Sequence, residues 1–297
     1  MNDLVSKFEE YDATIVIPTF NRSDRLFRCL QAVGEQDLST YKVEAVVVDD
    51  GSEDDTVSMV NGLAAYFPMP LRVISNKGKG PASARNAGMA AAASPLILYT
   101  DDDCVPQPTW VFFLIEYFHK HPEIDAVGGE IQRLYNTNIS RYIDDSGFMR
   151  QTVEGKAVKF LVTANAGFRK QALLNVQGFD ERISIAGGED FELSYRIRKE
   201  GSAIAFVPGA VIKHEHHQRL RALHKMNWRH GKGFAFQRDL GFTGEYPGRQ
   251  DLRWSMERCR DAYQAQVVRG SGSLKKRLFY WFLDMYRWWS FHLGYNS

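Results

Sequence analysis

The sequence has few cysteines, no long apolar run and almost no net charge. Its three cysteines, Cys29, Cys104 and Cys259, are odd in number and far apart in a chain of 297 residues. This usage argues against a disulfide framework and for a reducing compartment, and no Cys-x-x-Cys pair indicates a zinc site. No apolar run reaches the roughly 18 residues that a membrane-spanning helix needs. The formal net charge of +1 gives no reason to expect nucleic acid as a partner.

Two further signals are missing from the sequence. The first residues, MNDLVSKFEEYD, are polar and acidic rather than a secretory signal, so we expect a cytoplasmic protein. The loop at residues 77–80 has two glycines, but Ser83 stands where a dinucleotide-binding fingerprint needs a third. The sequence therefore disfavours a nicotinamide-dependent oxidoreductase.

What is present is an alternation of strand and helix patterns. Apolar, β-branched runs at residues 13–17, 43–48, 71–74 and 96–100 predict buried strands, and helical patterns separate them. Strand and helix in this rhythm predict an α/β fold with a mainly parallel central sheet, right-handed crossovers and helices on both faces.

The second half of the chain has a less regular pattern. Residues 125–129, 160–168 and 203–207 are predicted strands, of which 203–207 is the last of the sheet, whereas residues 134–160 show no clear periodicity. We expect residues 1–220 to form one α/β domain and residues 221–297 to form an α-helical C-terminal extension rich in aromatic and basic side chains.

This extension contains two aromatic and basic segments, LKKRLFYWFL at residues 274–283 and MYRWWSF at residues 285–291. We favour packing of these segments on the protein, over an acceptor cleft or in a homodimer interface. The alternative is peripheral contact with the inner face of a membrane, with aromatic side chains in the bilayer interface and Lys and Arg at the headgroups. Asp284 and Arg287 argue against a spanning helix.

The predicted site begins at the apolar strand of residues 96–100, which ends in Asp101, Asp102 and Asp103. Burial of an unpaired carboxylate is costly, so such a strand needs solvent or a cation at its tip. Ligands of open α/β sheets bind at the carboxyl ends of strands. In an extended chain Asp101 and Asp103 would point to one side, towards a divalent cation and its nucleotide, and Asp102 would point away. A polar turn is the competing interpretation.

Three more polar clusters follow predicted strands or precede a predicted helix, at Asp49-Asp50, Glu189-Asp190 and residues 214–217. One acidic pair after a strand has a simple structural explanation, because turns favour Asp and Gly. Several clusters at the same edge of one sheet are harder to attribute to turns alone. We therefore expect them to form a shared functional site.

These clusters lie within a series of motifs that resembles family 2 glycosyltransferases of the GT-A, or nucleotide-diphospho-sugar transferase, fold. The resemblance covers about residues 13–217, and its strength is the joint order of motifs that are each weak alone. The helical extension lies outside it. The motifs are IVIPTFNR at residues 15–22, VVDDGS at 47–52, GPASARNAG at 80–88, YTDDD at 99–103, NAGFR at 165–169, GFDE at 178–181, GGEDFELSYR at 187–196 and VPGAVIKH at 207–214.

The resemblance implies a binding site for a nucleoside-diphosphate sugar, which we predict to be UDP-linked. Thr19 and Asp50, or its neighbour Asp49, would contact the base and ribose, since a carboxylate can accept an N–H from a pyrimidine edge. Arg85 would meet the base or the diphosphate through paired hydrogen bonds. Asp101 would hold the ribose or a metal-bound water. The predicted donor-binding residues are Pro18, Thr19, Asn21, Arg22, Asp49, Asp50, Arg85, Asp101 and Asp102.

The resemblance also implies a divalent cation, Mn²⁺ or Mg²⁺, that is held by Asp103 and completed by His214. Carboxylate oxygens suit both ions, and an imidazole ligand shifts the preference towards Mn²⁺. His216 would share the face of His214 in an extended chain, whereas His217 is predicted at the surface.

Asp190 is predicted to be the general base of an inverting transfer, where it would take the proton of the acceptor hydroxyl. Its place at a helix start is expected to favour the ionised carboxylate, which also lowers its basicity. Asn165 and Glu189 are predicted on the acceptor side, with a glycan, a lipid-linked sugar or a small molecule as acceptor. Simple capping of the helix by Glu189 and Asp190 is the competing interpretation.

The sequence thus predicts an inverting, metal-dependent glycosyltransferase of polysaccharide, glycan or glycolipid biosynthesis. A sugar nucleotidyltransferase shares the strand-end carboxylates but needs a glycine-rich basic loop after the first strand, where this chain has PTFNR. A catalytically silent sugar-nucleotide-binding assembly subunit would be expected to have lost an acidic cluster, and all of them are present. Both alternatives stay open at this point.

Overall fold

The computed structural model describes residues 10–147, 149–154, 157–239 and 273–297. The chain divides into two compact units. The first, here the sheet unit, comprises residues 1–135, 147–184 and 189–216. The second, here the helical unit, comprises residues 136–146, 185–188 and 217–297.

The first half of the sheet unit alternates strands with helices, as its apolar periodicity predicts. These elements are β1 (Ala13–Thr19), α1 (Ser23–Gly34), β2 (Val43–Asp49), α2 (Thr56–Ala64), β3 (Leu71–Ser75), α3 (Gly80–Ala91) and β4 (Leu96–Thr100). β1, β2 and β4 are buried along almost their whole length, which is the property of parallel strands covered on both faces. Their burial is what allows continuous apolar runs to predict them.

The chain from Cys104 to His214, which includes one helix of the helical unit, contains more strands than the sequence predicts. Its elements are β5 (Cys104–Pro106), α4 (Trp110–Lys120), β6 (Ile124–Arg133), α5 (Asn138–Ser146), β7 (Thr152–Glu154), β8 (Ala157–Phe160), β9 (Asn165–Arg169), α6 (Lys170–Asn175), α7 (Glu189–Lys199) and β10 (Ala203–His214). The stretch of residues 134–160, which shows no clear periodicity, supplies α5 and two short strands. The predicted strand at residues 160–168 forms regular structure only from Asn165 onwards.

All ten strands belong to one mixed sheet, whose order is β3-β2-β1-β4-β9-β6-β10-β8-β7, with β5 paired to β10. The strands from β3 to β4 run parallel, and β6 runs parallel to β10. β9 lies between these two groups and is antiparallel to both of its neighbours. The prediction of a mainly parallel sheet with helices on both faces is confirmed, but the sheet is not parallel throughout.

β10 is longer than the predicted last strand. It continues beyond Val207, across an irregularity before Val211, and ends at His214. There it pairs antiparallel with β5, so that His214 lies opposite Cys104. Because Cys104 directly follows Asp103, this pairing brings the histidine to the acidic turn after β4.

Two apolar layers form the core, one on each face of the sheet. Alternate residues of the central strands point into opposite layers, as the two-residue period of a strand requires. Ile15, Ile17, Val47 and Leu98 belong to one layer, and Val16, Val46, Ile97 and Tyr99 belong to the other. Helices α1 and α4 cover the first layer, and α3 covers the second.

The helical unit consists of α5 together with α8 (Leu220–Asp239) and α9 (Leu274–Tyr295). The hydroxyl of Tyr142 on α5 donates a hydrogen bond of 2.5 Å to Asp284 on α9. The helical character predicted for the C-terminal extension is confirmed for the described residues of α8 and α9. Among the described helices, none has the length and apolarity that crossing a bilayer requires.

Helices α8 and α9 touch at two glycines. A Cβ atom at Gly231 would lie 2.0 Å from the carbonyl oxygen of Phe291, and one at Gly294 would lie 1.9 Å from the carbonyl oxygen of Trp228. Neither distance is possible for a real side chain, so the close approach of the two backbones depends on the absence of a Cβ.

Candidate active site

The three aspartates after β4 lie in a turn. The N–H of Cys104 donates to the carbonyl oxygen of Asp101 at 3.1 Å, which closes the turn. The prediction of an extended chain, in which Asp101 and Asp103 converge and Asp102 points away, is therefore wrong. Instead Nη1 of Arg22 lies 2.8 Å from Asp102 and 3.2 Å from Asp103, so these two neighbours share one guanidinium nitrogen.

Asp103 faces His214 across the turn. Its Oδ1 atom lies 3.4 Å from Nε2 of His214, and the Nδ1 atoms of His214 and His216 are 2.9 Å apart. Burial, together with the neighbouring His216, lowers the pKa of His214 to about 3, so its imidazole is neutral. In the tautomer with the proton on Nδ1, Nε2 of His214 has a lone pair available for a cation beside Asp103.

The carboxylates of the turn are short of positive charge. Burial raises the pKa of Asp102 to about 6, even though Arg22 opposes this shift. Burial and the charge of Asp101 raise the pKa of Asp103 to about 6 as well. A divalent cation beside Asp103 would relieve this crowding of negative charge. The donor set of carboxylate oxygen and neutral imidazole nitrogen therefore fits the predicted Mn²⁺ or Mg²⁺.

Cys104 is the third potential ligand near this position. One ligand atom each from Asp103, Cys104 and His214 lie within 4.8 Å of one another. Burial raises the pKa of the Cys104 thiol well above its ordinary value, so the thiol stays protonated and is a poor ligand. Asp103 and His214 are thus the side chains best suited to hold the cation.

The loop after β1 contacts the acidic turn directly. The hydroxyl of Thr19 donates to Oδ2 of Asp102 at 2.9 Å, and Arg22 bridges Asp102 and Asp103. Pro18 lies within β1, opposite Val48. Thr19 and Arg22, both predicted donor-binding residues, therefore hold the acidic turn in place. Asp102, a third predicted donor-binding residue, is the member of the turn that both of them contact.

Asn21 joins the loop after β1 to the loop after β2. Its backbone lies in the left-handed region, with φ of +52°, which asparagine tolerates better than most residues. Its N–H donates to the hydroxyl of Ser52, and its side-chain oxygen accepts from the N–H of Glu53, both at 2.8 Å. The structure thus gives Asn21 a role in shaping the rim of the predicted donor site.

Asp49 and Asp50 differ in their environments. Asp49 is buried, and its carboxylate accepts hydrogen bonds from the N–H groups of Gly51 and Ser52. Asp50 is partly exposed and accepts from the side chain of Asn76 at 2.6 Å and from the N–H of Gly80 at 2.9 Å. Of the two alternatives for a contact with the base, Asp50 is the one with accessible surface.

Arg85 links the acidic turn to the start of α7. The side chain is buried, and its two terminal nitrogens lie 2.9 Å from Asp101 and 3.0 Å from Glu189. Its guanidinium also lies over the ring of Phe179, 5.6 Å from the ring centre. Nε of Arg85 has no hydrogen-bond partner among the described residues. The side chain of Arg85 is therefore held between two acidic groups, and its Nε–H donor remains unused.

Asp190 differs from Glu189 beside it. Its carboxylate accepts a hydrogen bond of 2.9 Å from the N–H of Phe191, whereas Glu189 is committed to Arg85. Burial and the charge of Glu189 raise the pKa of Asp190 to about 7, and Arg85 limits the rise. The expectation that the helix start would favour the ionised form is wrong in direction, because burial outweighs the helix dipole. A carboxylate with this pKa suits general-base chemistry near neutral pH.

The prediction that Asn165 lies on the acceptor side is wrong. The residue is fully buried, and its side-chain oxygen accepts from the indole N–H of Trp110 at 2.8 Å. Its side-chain nitrogen donates to the carbonyl oxygens of Glu130 and Ala210, each at 2.9 Å. The amide therefore joins three segments of the core and is not presented to a ligand.

The sequence prediction missed a cluster formed by α1 and Glu215. Nη2 of Arg25 lies 2.8 Å from Glu215, which also pairs with Arg28, and the backbone N–H of Glu215 donates to the carbonyl oxygen of Asp103 at 2.9 Å. This cluster fixes the end of β10 against the acidic turn. The spacing of Arg22, Arg25 and Arg28, one every three residues of a helix, is the signal that could have predicted it.

Comparison with known proteins gives matches over most of the chain. A family model described as glycosyl transferase family 2 matches residues 14–176, and one described as glycosyl transferase family group 2 matches residues 96–295. The chain is 28% identical over 218 residues to a pre-mycofactocin glycosyltransferase of Mycobacterium tuberculosis. That match covers 71% of this chain but only 44% of the mycobacterial protein, so the chain spans less than half of that relative.

Solved structures share the fold. The mannosyltransferase PcManGT from Pyrobaculum calidifontis, in complex with GDP-Man and Mn²⁺, aligns with a TM-score of 0.65 at 20% identity, covering 96% of this chain and 84% of that one. S. aureus TarS 1–349, in complex with UDP-GlcNAc, aligns with a TM-score of 0.57 at 15% identity, covering 96% and 91% of the two chains. These matches confirm the predicted GT-A fold.

Proposed function

The chain belongs to glycosyl transferase family 2, and we propose that it is an inverting, metal-dependent glycosyltransferase. It would move a sugar from a nucleoside-diphosphate sugar to an acceptor hydroxyl in glycan or glycolipid biosynthesis. The observation that carries the proposal is the approach of His214 to within 3.4 Å of Asp103, in an acidic turn that Arg85 connects to the start of α7.

The donor is proposed to be UDP-linked. Asp50 is partly exposed at the end of β2 and can accept the N3–H of a uracil ring. The solved relatives named above bind GDP-Man in one case and UDP-GlcNAc in the other, so family membership alone leaves the nucleotide open. The choice of a uracil nucleotide therefore rests on Asp50.

Asp103 and His214 would hold the cation, and Asp101, whose charge acts on Asp103, would bind a water of its shell or the ribose. When bound, Mn²⁺ or Mg²⁺ neutralises the diphosphate and so stabilises it as a leaving group. The contact with His216 orients the imidazole of His214, because the second ring nitrogen of a metal-binding histidine is commonly held by a hydrogen bond. The nitrogen ligand favours Mn²⁺ over Mg²⁺.

Asp190 is proposed as the general base. The acceptor oxygen attacks the anomeric carbon from the side opposite the diphosphate, and its proton passes to the carboxylate of Asp190. The new carbon–oxygen bond forms as the bond to the diphosphate breaks, and that electron pair leaves with the diphosphate. The single displacement inverts the anomeric centre. Arg85 has a positioning role, because it binds Glu189 and limits the rise in the pKa of Asp190.

A thermal-shift screen of nucleotide sugars with and without Mn²⁺ tests this proposal. We expect UDP-sugars to raise the melting temperature only when Mn²⁺ is present, and GDP-sugars to raise it less. The matched variants are Asp103→Ala, which should lose the shift, and Asp55→Ala, an exposed acidic residue before α2 that should keep it. No shift with any nucleotide sugar, or an equal shift without Mn²⁺, would contradict the proposed function.

A further inference from the structure

Helix α9 exposes a row of large apolar side chains, here called the apolar stripe. At about 100° per residue, its members lie on one side of the helix. They are exposed to an extent unusual for such side chains, with Leu274 at 64% and Trp289 at 48%. The stripe consists of Leu274, Leu278, Trp281, Phe282, Trp289 and Leu293.

The opposite side of α9 holds the helix in its unit. Tyr280 and Leu283 are buried there, and the hydroxyl of Tyr280 donates to Asp145 of α5 at 2.7 Å. Gly294 provides the close approach to α8. These anchoring residues of α9 are different from those of the apolar stripe, of which Trp289 also contacts His224 on α8.

Basic side chains flank the apolar stripe. Lys275, exposed at the start of α9, follows Leu274, the first residue of the stripe. Near its other end the ring of Trp289 lies 5.4 Å from that of His224 on α8. Arg221 and Lys225 stand beside His224 on α8 and are both exposed. These exposed neighbours of the stripe, among the described residues, are cationic.

From this surface we propose that the apolar stripe docks into the interface of a lipid bilayer that contains anionic lipids. Trp, Phe and Leu side chains would enter the boundary between headgroups and acyl chains, while Lys and Arg would meet lipid phosphates. The helix would lie in the plane of the surface, because no described helix can span a membrane. Packing on one side of α9 is compatible with lipid contact on the other, so this proposal combines the two alternatives predicted for the extension.

A second copy of the chain fits this surface less well. In a symmetric dimer the same patch faces itself, so the cations at its edges would be brought together without acidic partners. An anionic lipid surface provides the opposite charge along the whole patch. The inference does not depend on the proposed glycosyl transfer, because docking is measured without any donor or acceptor.

Co-sedimentation of the full chain with vesicles tests this inference. Vesicles of phosphatidylcholine with phosphatidylglycerol are compared with vesicles of phosphatidylcholine alone, at low and high salt. We expect the chain to bind the anionic vesicles, and this binding to weaken with salt. The double variant Trp281→Ala/Phe282→Ala should bind these vesicles at least about tenfold more weakly. Tyr66→Ala is the matched control, since it removes an aromatic residue that is 91% exposed outside α9.

Two outcomes would overturn the proposal. The first is no binding to anionic vesicles, or binding that the double variant and Tyr66→Ala change equally. The second is a concentration-dependent dimer, seen by sedimentation velocity, that the double variant abolishes, because the stripe would then be covered by a second copy. All substituted positions are exposed, and thermal melting of each variant checks that it is folded.

Discussion

The Nε2 atom of His214 lies 3.4 Å from a carboxylate oxygen of Asp103, although the two residues come from distant parts of the chain. β5 makes the contact possible, because it follows the acidic turn and pairs with the end of β10. Both groups are largely buried, and the imidazole of His214 is neutral because burial lowers its pKa to about 3. This arrangement is the basis of the proposed cation site.

The first prediction concerns the loss of either proposed ligand. Asp103→Ala and His214→Ala should each lower Mn²⁺-supported turnover by about 100-fold or more, because the cation loses a direct ligand. Excess Mn²⁺ should partly restore the turnover of His214→Ala, since the carboxylate of Asp103 remains as a ligand. Turnover is measured as release of UDP across a titration of Mn²⁺, with Asp55→Ala as the control. Equal turnover of the variants and the parent at limiting Mn²⁺ would contradict the assignment.

The second prediction is a pH dependence set by Asp190. Catalysis needs the ionised carboxylate, and its pKa is raised to about 7, so the base is lost as pH falls through that value. We expect kcat/KM to fall about tenfold per pH unit below pH 7 and to level off above it. An ordinary aspartate would titrate near pH 3.9, so a flat profile down to about pH 5 would argue against this environment.

Asp190→Asn provides the matching variant. It should bind UDP and Mn²⁺ as the parent chain does, because the side chain lies outside the proposed cation ligands. Transfer to an acceptor should fall by about 100-fold or more, since the amide cannot take the proton. Calorimetry measures the first property and product formation measures the second. Near-parental transfer by this variant would remove Asp190 from the mechanism.

The third prediction concerns Arg85. Arg85→Ala leaves the buried carboxylate of Glu189 without its cation, which should lower the free energy of unfolding by roughly 3–5 kcal/mol. Arg85→Lys keeps the charge but not the paired geometry, so its stability loss should be smaller. Because Arg85 limits the rise in the pKa of Asp190, Arg85→Ala should also move the pH profile upwards. Urea unfolding and the pH–rate profile of both variants provide the test, and an unshifted profile would contradict the link.

The fourth prediction follows from the corrected placement of Asn165. Asn165→Ala leaves the indole N–H of Trp110 and two backbone carbonyls unpaired in the core, and should destabilise the fold by roughly 3 kcal/mol. Binding of UDP and Mn²⁺ should be unchanged at temperatures where the variant is folded. A specific loss of acceptor use at unchanged stability would restore the original prediction.

Much of the fold could be predicted because its strands are buried on both faces. β1, β2 and β4 are mainly apolar, β2 and β4 lead into acidic residues, and helical periodicity lies between the strands. The direction of β9 could not be predicted in this way, since an apolar pattern is the same for parallel and antiparallel strands. β5 was missed because three residues, one of them Pro106, are too few to show a period.

In the site, as in the fold, local sequence features could be predicted and contacts between distant segments could not. Charge and position singled out Asp103, after a strand, and Asp190, at a helix start, and the resemblance to the family added Arg85. The pairing of Arg85 with Asp101 and Glu189 depends on how α3, β4 and α7 meet, which no local pattern contains. Asn165 was misassigned for the same reason, because its partners come from three distant segments.

The account depends most directly on a cation held by Asp103 and His214 together with a nucleotide. Electron paramagnetic resonance measures free Mn²⁺ during a titration of the chain with UDP present, for the parent and for His214→Gln. We predict one tightly bound Mn²⁺ per parent chain, and an affinity at least about tenfold weaker in the variant. Equal uptake of Mn²⁺ by the two proteins, or no uptake by the parent, would contradict the proposed site.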